Sequence, residues 1–125
     1  DLLEFRGNFI CRIRSRDGAE GFSFANSNMD GLYPVFIKRL QPFFIGKDAL
    51  KLESLLEEVY VYKSNYKLQS VALWSPLSTI EFAILDMMGR IAGKLAHQGV
   101  FRRQAHECGA QNRIVAGGKN GNHVL

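Results

Sequence analysis

Residues 9–25 read FICRIRSRDGAEGFSFA. In the first part of this stretch the apolar residues Phe9, Cys11 and Ile13 occupy alternate positions, and two arginines fall between or beside them. Neighbouring side chains of a β-strand point to opposite faces, so this alternation predicts a strand from about Phe9 to Ser15 with one apolar face. The segment Arg16–Gly18 that follows is typical of a turn, because its glycine tolerates a positive φ.

The chain is predicted to return as a second strand from Glu20 to Ala25, in which Phe22 and Phe24 alternate with Ser23. These two strands then form an antiparallel hairpin. The sequence leaves open whether residues 2–5 add a third strand before it.

Two amphipathic helices are predicted after the hairpin. The first runs from about Met29 to Arg39 and is stopped by Pro42. The second is capped by Asp48 and reaches about Tyr62, and residues 63–67 are predicted to form a loop after it. Apolar residues at helical spacing mark the buried stripe of each helix: Leu32, Val35, Phe36 and Leu40 in the first, and Leu52, Leu55, Leu56 and Val59 in the second.

A third helix has the clearest pattern of the three. Ser75 is placed as its N-cap, Pro76 as its first residue and Gly93 as the left-handed residue after its end. Its apolar stripe consists of Ile80, Ala83, Ile84, Met87, Met88 and Ile91. We expect this stripe to face that of the second helix. The fold class is therefore α+β, an antiparallel hairpin or three-stranded meander followed by a three-helix bundle.

Composition narrows the functional classes. The chain has 125 residues, enough for one domain, and no apolar run near the ~18–20 residues of a membrane span. Its net charge is +4, but the basic residues are spread along the sequence, so no nucleic-acid partner is expected. The acidic start Asp1–Glu4 is unlike a signal peptide, which favours a cytoplasmic protein. Cys11 and Cys108 are expected to be free thiols rather than a disulfide.

No catalytic or metal-binding residues are predicted. A zinc set can be imagined from His97, His106, Cys108 and His123, but it lacks the short paired spacing of such sites. Glu81 and Asp86 lie five residues apart on the third helix, about 140° apart in rotation, so they do not converge on a ligand. We expect one of them to bond a neighbouring element instead.

Several stretches resemble one known family. They are Phe43–Ala49 (FFIGKDA), Trp74 and Ile80–Lys94 (IEFAILDMMGRIAGK). Together they resemble the N-terminal domain of the mandelate racemase/muconate lactonizing enzyme group of the enolase superfamily. The resemblance covers roughly Phe9 to Lys94, and the run from Ala83 to Lys94 is its most specific part.

The resemblance implies an enolase N-terminal-domain-like fold that caps a separate (β/α)-barrel. In this family the barrel holds Mg²⁺ and the bases that remove a proton α to a carboxylate. Residues 1–94 then form the capping-like domain, and residues 95–125 form an atypical Gly- and Asn-containing tail in place of the start of the barrel. The chain is expected to be truncated and inactive by itself. Mg²⁺ and a small carboxylate substrate belong to a full-length dehydratase, racemase or cycloisomerase.

The resemblance also points to substrate-facing residues. The family's specificity loop corresponds to residues 26–33, which makes Asn26, Asn28 and Tyr33 the candidate substrate-binding groups. Amides and a phenol hydroxyl suit a polyhydroxy acid. An alternative for Asn28 is that it only caps the helix that follows.

An alternative function is protein interaction rather than a part in an enzyme. The chain would then be a free-standing interaction module whose apolar helices self-associate. In both cases we expect a homo-oligomer in which Ile114 and Val115 of the tail add to a sheet edge or a hydrophobic groove.

Overall fold

A computed structural model of the chain describes residues 1–97 and Ile114, with side chains up to residue 93 and at Ile114. It opens with a three-stranded antiparallel sheet, β1 (Leu2–Phe5), β2 (Asn8–Arg14) and β3 (Glu20–Phe24), in chain order. The predicted hairpin is confirmed, and residues 2–5 do form a third strand. Leu3 pairs with Ile10, which also pairs with Phe24.

The inner face of the sheet carries the start of the core. Phe9, Cys11 and Ile13 are buried there, as their alternation predicted. In β3 the inward positions belong to Gly21 and Ser23, while Phe24 is 81% exposed. The small residues of β3 are therefore buried and its phenylalanines are not, because a helix packs so close to this strand that a large side chain would not fit between them.

The first helical rod is longer than predicted. It consists of α1 (Met29–Val35), a π-helical turn (Phe36–Leu40) and α2 (Gln41–Phe44). The prediction that Pro42 stops the helix is wrong: Pro42 lies in the first turn of α2, where a missing N–H is tolerated. Of its predicted stripe, Phe36 and Leu40 are fully buried, and Leu32 and Val35 are half-buried.

The second helix, α3 (Leu52–Val61), follows a 3₁₀ turn over Ala49–Lys51. The Asp48 carboxylate accepts a hydrogen bond from the backbone N of Leu50 at 3.0 Å, so Asp48 caps this turn, whereas the N-cap of α3 itself is Lys51, which makes no capping hydrogen bond. Leu55 and Val59 are buried, and Leu52 and Leu56 are half-buried. Beyond α3 the segment Tyr62–Lys67 forms a 3₁₀ helix with a kink, where the sequence predicted a loop.

The third helix, α4 (Val71–His97), begins earlier and ends later than predicted. Ser75 is not its N-cap, because the Ser75 hydroxyl donates to Asn26 Oδ1 at 2.8 Å. The first turn of α4 is instead bonded to Ser70, whose carbonyl oxygen accepts hydrogen bonds from the N–H groups of Leu73 and Trp74. Gly93 lies within the helix rather than after it.

The predicted stripe of α4 is confirmed as core. Ile80, Ala83, Ile84 and Met87 are buried, and Met88 and Ile91 pack against them. The stripe faces mainly the sheet, above all β3, and α1, whereas we expected it to face α3. The portion Val71–Gly93 is also long and apolar enough to cross a bilayer, by length and composition alone. Half of the 18-residue window that passes this test is buried in the fold, and a core helix of a soluble protein passes the same test.

Three contacts join α4 to β3. A Cβ built on Gly21 would fall within 3 Å of the Ala83 carbonyl oxygen and of Met87, so only glycine permits this approach. The backbone N of Phe22 donates to Asp86 Oδ2 at 2.8 Å. The Ser23 hydroxyl donates to the carbonyl oxygen of Thr79. The edge strand is therefore held by the helix where it has no neighbouring strand.

Ile114 closes one end of the core. It pairs with Ser15 in an isolated antiparallel bridge, and its N–H donates to the Lys47 carbonyl at 2.9 Å. It is only 3% exposed. Ile114 thus docks beside the end of β2, outside the three strands, while Val115 lies outside the described residues and the expected homo-oligomer stays a prediction.

Candidate functional site

The loop between β3 and α1 is fastened to the start of α4. Asn26 Oδ1 accepts two hydrogen bonds, from the backbone N of Asn28 at 3.0 Å and from the Ser75 hydroxyl at 2.8 Å. Ser75 is itself buried, whereas Asn26 is exposed. Asn26 therefore has a fixed orientation, and its Nδ2 has no acceptor among the described residues, so it can donate to a ligand.

Asn28 occupies the N-cap position of α1 without capping it. Its side chain makes no capping hydrogen bond, so the alternative that Asn28 only caps the helix is contradicted. Asn28 is exposed and lines a cleft together with Asn26. Its amide is available to a ligand there.

This cleft lies between the loop and the first two turns of α4. It measures about 340 Å³, at the lower end of the ~300–1,000 Å³ range of small-molecule sites. Its lining consists of Asn26, Asn28, Ser70, Val71, Trp74, Ser75 and Ser78. These residues are uncharged, and most of them carry an amide or hydroxyl group. We call it the amide cleft.

A second cleft, of about 350 Å³, lies beside it and shares Trp74 with it. Its other lining residues are Leu56, Glu57 and Tyr60 of α3. The rings of Tyr60 and Trp74 are nearly parallel, with centroids 6.2 Å apart and an interplanar angle of 20°. We call it the aromatic cleft, since both of its large walls are aromatic rings.

Tyr33 does not join this site. It is half-buried, and its ring stacks on Phe9 with centroids 5.8 Å apart. The structure thus brings two of the three predicted substrate-facing residues, Asn26 and Asn28, to one cleft and leaves Tyr33 outside its lining.

Sequence reasoning did not identify the α4 side of the amide cleft. Ser70, Trp74 and Ser78 follow one another at four-residue intervals, which places them on one face of a helix. That spacing was a usable signal. It was missed because the start of the helix was predicted at Ser75, which left Trp74 outside it; Ser70 directly precedes α4.

The two acids on α4 have separate surroundings, as their spacing predicted. Asp86 accepts from the Phe22 N–H and from Arg90 Nε at 2.9 Å. The hydrogen bond from the Phe22 backbone, aided by Arg90, lowers the pKa of the Asp86 carboxyl below its usual value despite some desolvation. Asp86 is therefore the acid that bonds a neighbouring element, and it is not free to serve as a metal ligand or a base.

Metal ligands do not gather in the described part of the chain. Residues 1–93 with Ile114 contain no group of three His, Cys, Asp or Glu side chains placed to hold a metal ion. They do not fit Mg²⁺. The imagined set of histidines with Cys108 lies outside the described side chains.

Cys11 is a buried free thiol on the inner face of β2. Burial raises the pKa of this thiol to about 12, so it stays protonated at neutral pH and is a poor nucleophile. The other cysteine, Cys108, lies outside the described residues.

Comparison with known proteins shows a similarity to a curated enzyme. The chain is 28% identical over 88 residues to a D-galactonate dehydratase family member from Paenibacillus sp. (strain JDR-2). This similarity supports a relation to the enolase superfamily. It covers 69% of the chain but 21% of the relative, so the chain matches about a fifth of that protein's length. No family model and no solved structure matches the chain.

Proposed function

We propose that residues 1–94 are the capping and substrate-specificity domain of a Mg²⁺-dependent enolase-superfamily enzyme of the sugar-acid dehydratase, racemase or cycloisomerase type. The observation that carries this proposal is the placement of Asn26 and Asn28 at one cleft by a loop bonded to α4. The similarity to a D-galactonate dehydratase family member supports the choice of superfamily.

The loop has the properties that a specificity element needs. Its position is fixed by Asn26, which bonds Ser75 of α4, so the loop loses little conformational freedom when a ligand binds. Asn26 and Asn28 both line a cleft; Asn26 Oδ1 is engaged by Ser75, whereas Asn26 Nδ2 and the Asn28 side chain have no hydrogen-bond partner among the described residues. Substitutions here can change ligand preference without loss of the fold.

The chemistry itself is assigned to another domain. The described residues offer no Mg²⁺ site, Asp86 is engaged with Phe22 and Arg90, and Cys11 is buried as a neutral thiol. When bound in a catalytic domain, Mg²⁺ supplies stabilisation of negative charge on the substrate. This chain's residues contribute binding and orientation of the substrate.

A chimaera tests the proposal. The segment of the Paenibacillus relative that matches this chain is replaced by the corresponding residues of the chain, and kcat/KM is measured for a panel of sugar acids. Asn26→Ala and Asn28→Ala should each change the ratio of kcat/KM between acids by several fold, the effect of one lost hydrogen bond of ~1 kcal/mol. Ser27→Ala, in the same loop but outside the cleft lining, is the matched control. A folded, active chimaera whose preference ignores both substitutions would refute the proposal.

Self-association is a second candidate, favoured by exposed apolar side chains. Phe5 is 61% and Phe24 81% exposed on the outer sheet face, and Phe82 and Leu85 are 61% and 46% exposed on α4. Such exposure promotes association. We propose a homo-oligomer, which light scattering tests. Phe82→Ser should lower the measured mass if α4 forms the contact, and a monomeric wild-type chain at high concentration would exclude this function.

A further inference from the structure

The side of α4 that faces away from the core carries a second stripe of uncharged residues. At 100° per residue its members fall within about 80° of rotation, along about 30 Å of helix. We call it the outer stripe, and it consists of Val71, Trp74, Ser78, Phe82, Leu85, Gly89 and Ala92. Trp74 is 54% exposed, and Phe82 and Leu85 are exposed to a similar extent. Much of this apolar surface is therefore not covered by the described residues.

We propose that the outer stripe is an interface at which α4 pairs antiparallel with α4 of a second copy of the chain, about a two-fold axis beside Phe82. This inference rests on the self-association proposed above. It deepens that proposal by assigning the association one surface and one register.

The distribution of large and small residues along the outer stripe fits an antiparallel pair. Helices pack with their axes about 8–10 Å apart, so a large side chain needs a small residue opposite it. With the axis beside Phe82, Trp74 lies opposite Gly89 of the second copy. In the same register Leu85 lies opposite Ser78, and Val71 lies opposite Ala92. The two-fold axis produces each of these pairs twice.

Other arrangements of the two helices fit less well. A parallel pair in register would place Trp74 against Trp74 and would leave a gap between the two copies of Gly89. The large side chains of the stripe lie mainly in its first half and in its centre, and Gly89 and Ala92 lie at its end. An antiparallel copy brings the first half of one helix to the end of the other, which is why we choose this direction.

Gly89 is the residue whose presence the fold itself does not explain. A Cβ built on Gly89 meets no atom within 4 Å, so the packing of the single chain does not require a glycine there. Glycine within a helix is less favourable than alanine, because it loses more backbone freedom on folding. In the antiparallel pair Gly89 leaves the space that the indole of Trp74 occupies.

The area of the outer stripe predicts a weak dimer. A fully buried aromatic side chain covers about 150–250 Å², so the exposed halves of Trp74 and Phe82 supply about 100 Å² each. With the remaining members the two copies bury roughly 1,000 Å² in total, the lower limit of specific interfaces. Glu81 borders the stripe near the axis, where its carboxylate comes near that of the second copy and weakens the pair. We therefore expect a Kd in the micromolar range.

The interface overlaps the amide cleft. Val71, Trp74 and Ser78 belong both to the outer stripe and to the lining of that cleft. A second copy seated on the stripe therefore covers the open side of the cleft. In the proposed function this side would face the catalytic domain, so the dimer and the assembly with a catalytic domain exclude each other. The pairing is a property of the chain without such a domain.

Sedimentation equilibrium of the full chain across the micromolar range measures the pairing. Trp74 reports it independently as the single tryptophan of the chain, and its emission should shift to longer wavelength as dilution exposes the indole. Gly89→Leu should raise Kd at least tenfold, because the new side chain occupies the space of the indole. Gly31→Leu is the matched control. Gly31 lies in α1, its added Cβ also meets no atom within 4 Å, and Kd should not change.

A compensating pair of substitutions tests the register. Trp74→Ala alone removes apolar contact and should also raise Kd. Combined with Gly89→Leu it exchanges the large and the small residue, so the double variant should associate more tightly than either single variant. Both positions are exposed, so these variants should fold, and circular dichroism checks each of them.

A dimer whose Kd is the same in Gly89→Leu as in Gly31→Leu would overturn this inference and leave self-association through another surface in place. A double variant no tighter than the single variants would overturn the antiparallel register. A wild-type chain that stays monomeric at every concentration would overturn both this inference and the self-association on which it rests. The chimaera described above reports separately on the capping function.

Discussion

Replacing Gly21 with alanine should destabilise the fold severely, because the added methyl group has nowhere to go. It would fall within 3 Å of the Ala83 carbonyl oxygen and of the backbone N and Cβ of Met87. These atoms belong mostly to the backbone of α4, which cannot turn aside as a flexible side chain does. The φ of Gly21 is not left-handed, so the effect of the substitution is steric.

The expected magnitude combines two terms. Forcing an extra methyl group into a packed interface costs about 1–3 kcal/mol. Moving α4 away from β3 also strains the hydrogen bonds from Phe22 N to Asp86 and from the Ser23 hydroxyl to Thr79, each contributing about 1 kcal/mol. We expect a loss of about 3–5 kcal/mol, a large part of the ~5–15 kcal/mol that stabilises a typical domain.

Urea unfolding followed by far-ultraviolet circular dichroism measures this loss. Gly89→Ala is the matched control, since Gly89 lies in α4 with no atom within 4 Å of an added Cβ. It should stabilise the chain by about 0.5–1 kcal/mol through helix propensity. A Gly21→Ala midpoint equal to that of the wild type would refute the close packing of α4 on β3.

Three further predictions concern the core and its titrating groups. Ile84 is fully buried, so Ile84→Ala should cost about 2–5 kcal/mol in urea unfolding, and an unchanged midpoint would show that it is not core. The pKa of Asp86 is lower in the folded state, so its carboxylate stabilises the fold above about pH 4 and this contribution is lost as the pH falls through the folded-state value. Asp86→Asn should therefore be less stable than the wild type at pH 6, and the difference should shrink below pH 4; a constant difference would contradict this. In a Cys108→Ser background Cys11 should react with a thiol reagent only after unfolding, and rapid labelling of the native chain would contradict its burial and its raised pKa.

Periodic patterns predicted the elements and most of the core. The alternation of Phe9, Cys11 and Ile13 identified the buried face of β2, and the spacing of Ile80, Ile84 and Met87 identified that of α4. Such patterns predict structure reliably because they arise from the burial of one whole face of a strand or helix.

Residues typical of helix ends were less reliable predictors, because contacts with distant parts of the chain determined where the helices begin. Ser75 and Pro76 are typical of a helix start, yet Asn26 binds the Ser75 hydroxyl and the helix begins at Val71. In β3 the alternation predicted a strand but not its buried face, and the approach of α4 requires the small residues Gly21 and Ser23 on the inner side. No pattern within β3 alone reveals how close a distant helix passes.

The candidate site was predicted in part. Its loop came from the family resemblance, which located Asn26 and Asn28 but also included Tyr33, whose ring stacks on Phe9 instead. Trp74 and Tyr60 lie 14 residues apart on two helices, and only the packing of those helices brings their rings together.

We propose that the catalytic residues belong to another domain, and an activity assay on the purified chain tests this most directly. The purified chain is incubated with D-galactonate and related sugar acids, with Mg²⁺ and with a chelator, and the α-keto acid formed by dehydration is measured. No product above that of a matched blank is expected in either condition, because the described residues bring together no group of His, Cys, Asp or Glu side chains that could hold Mg²⁺. Mg²⁺-dependent product formation that the chelator abolishes would contradict the account.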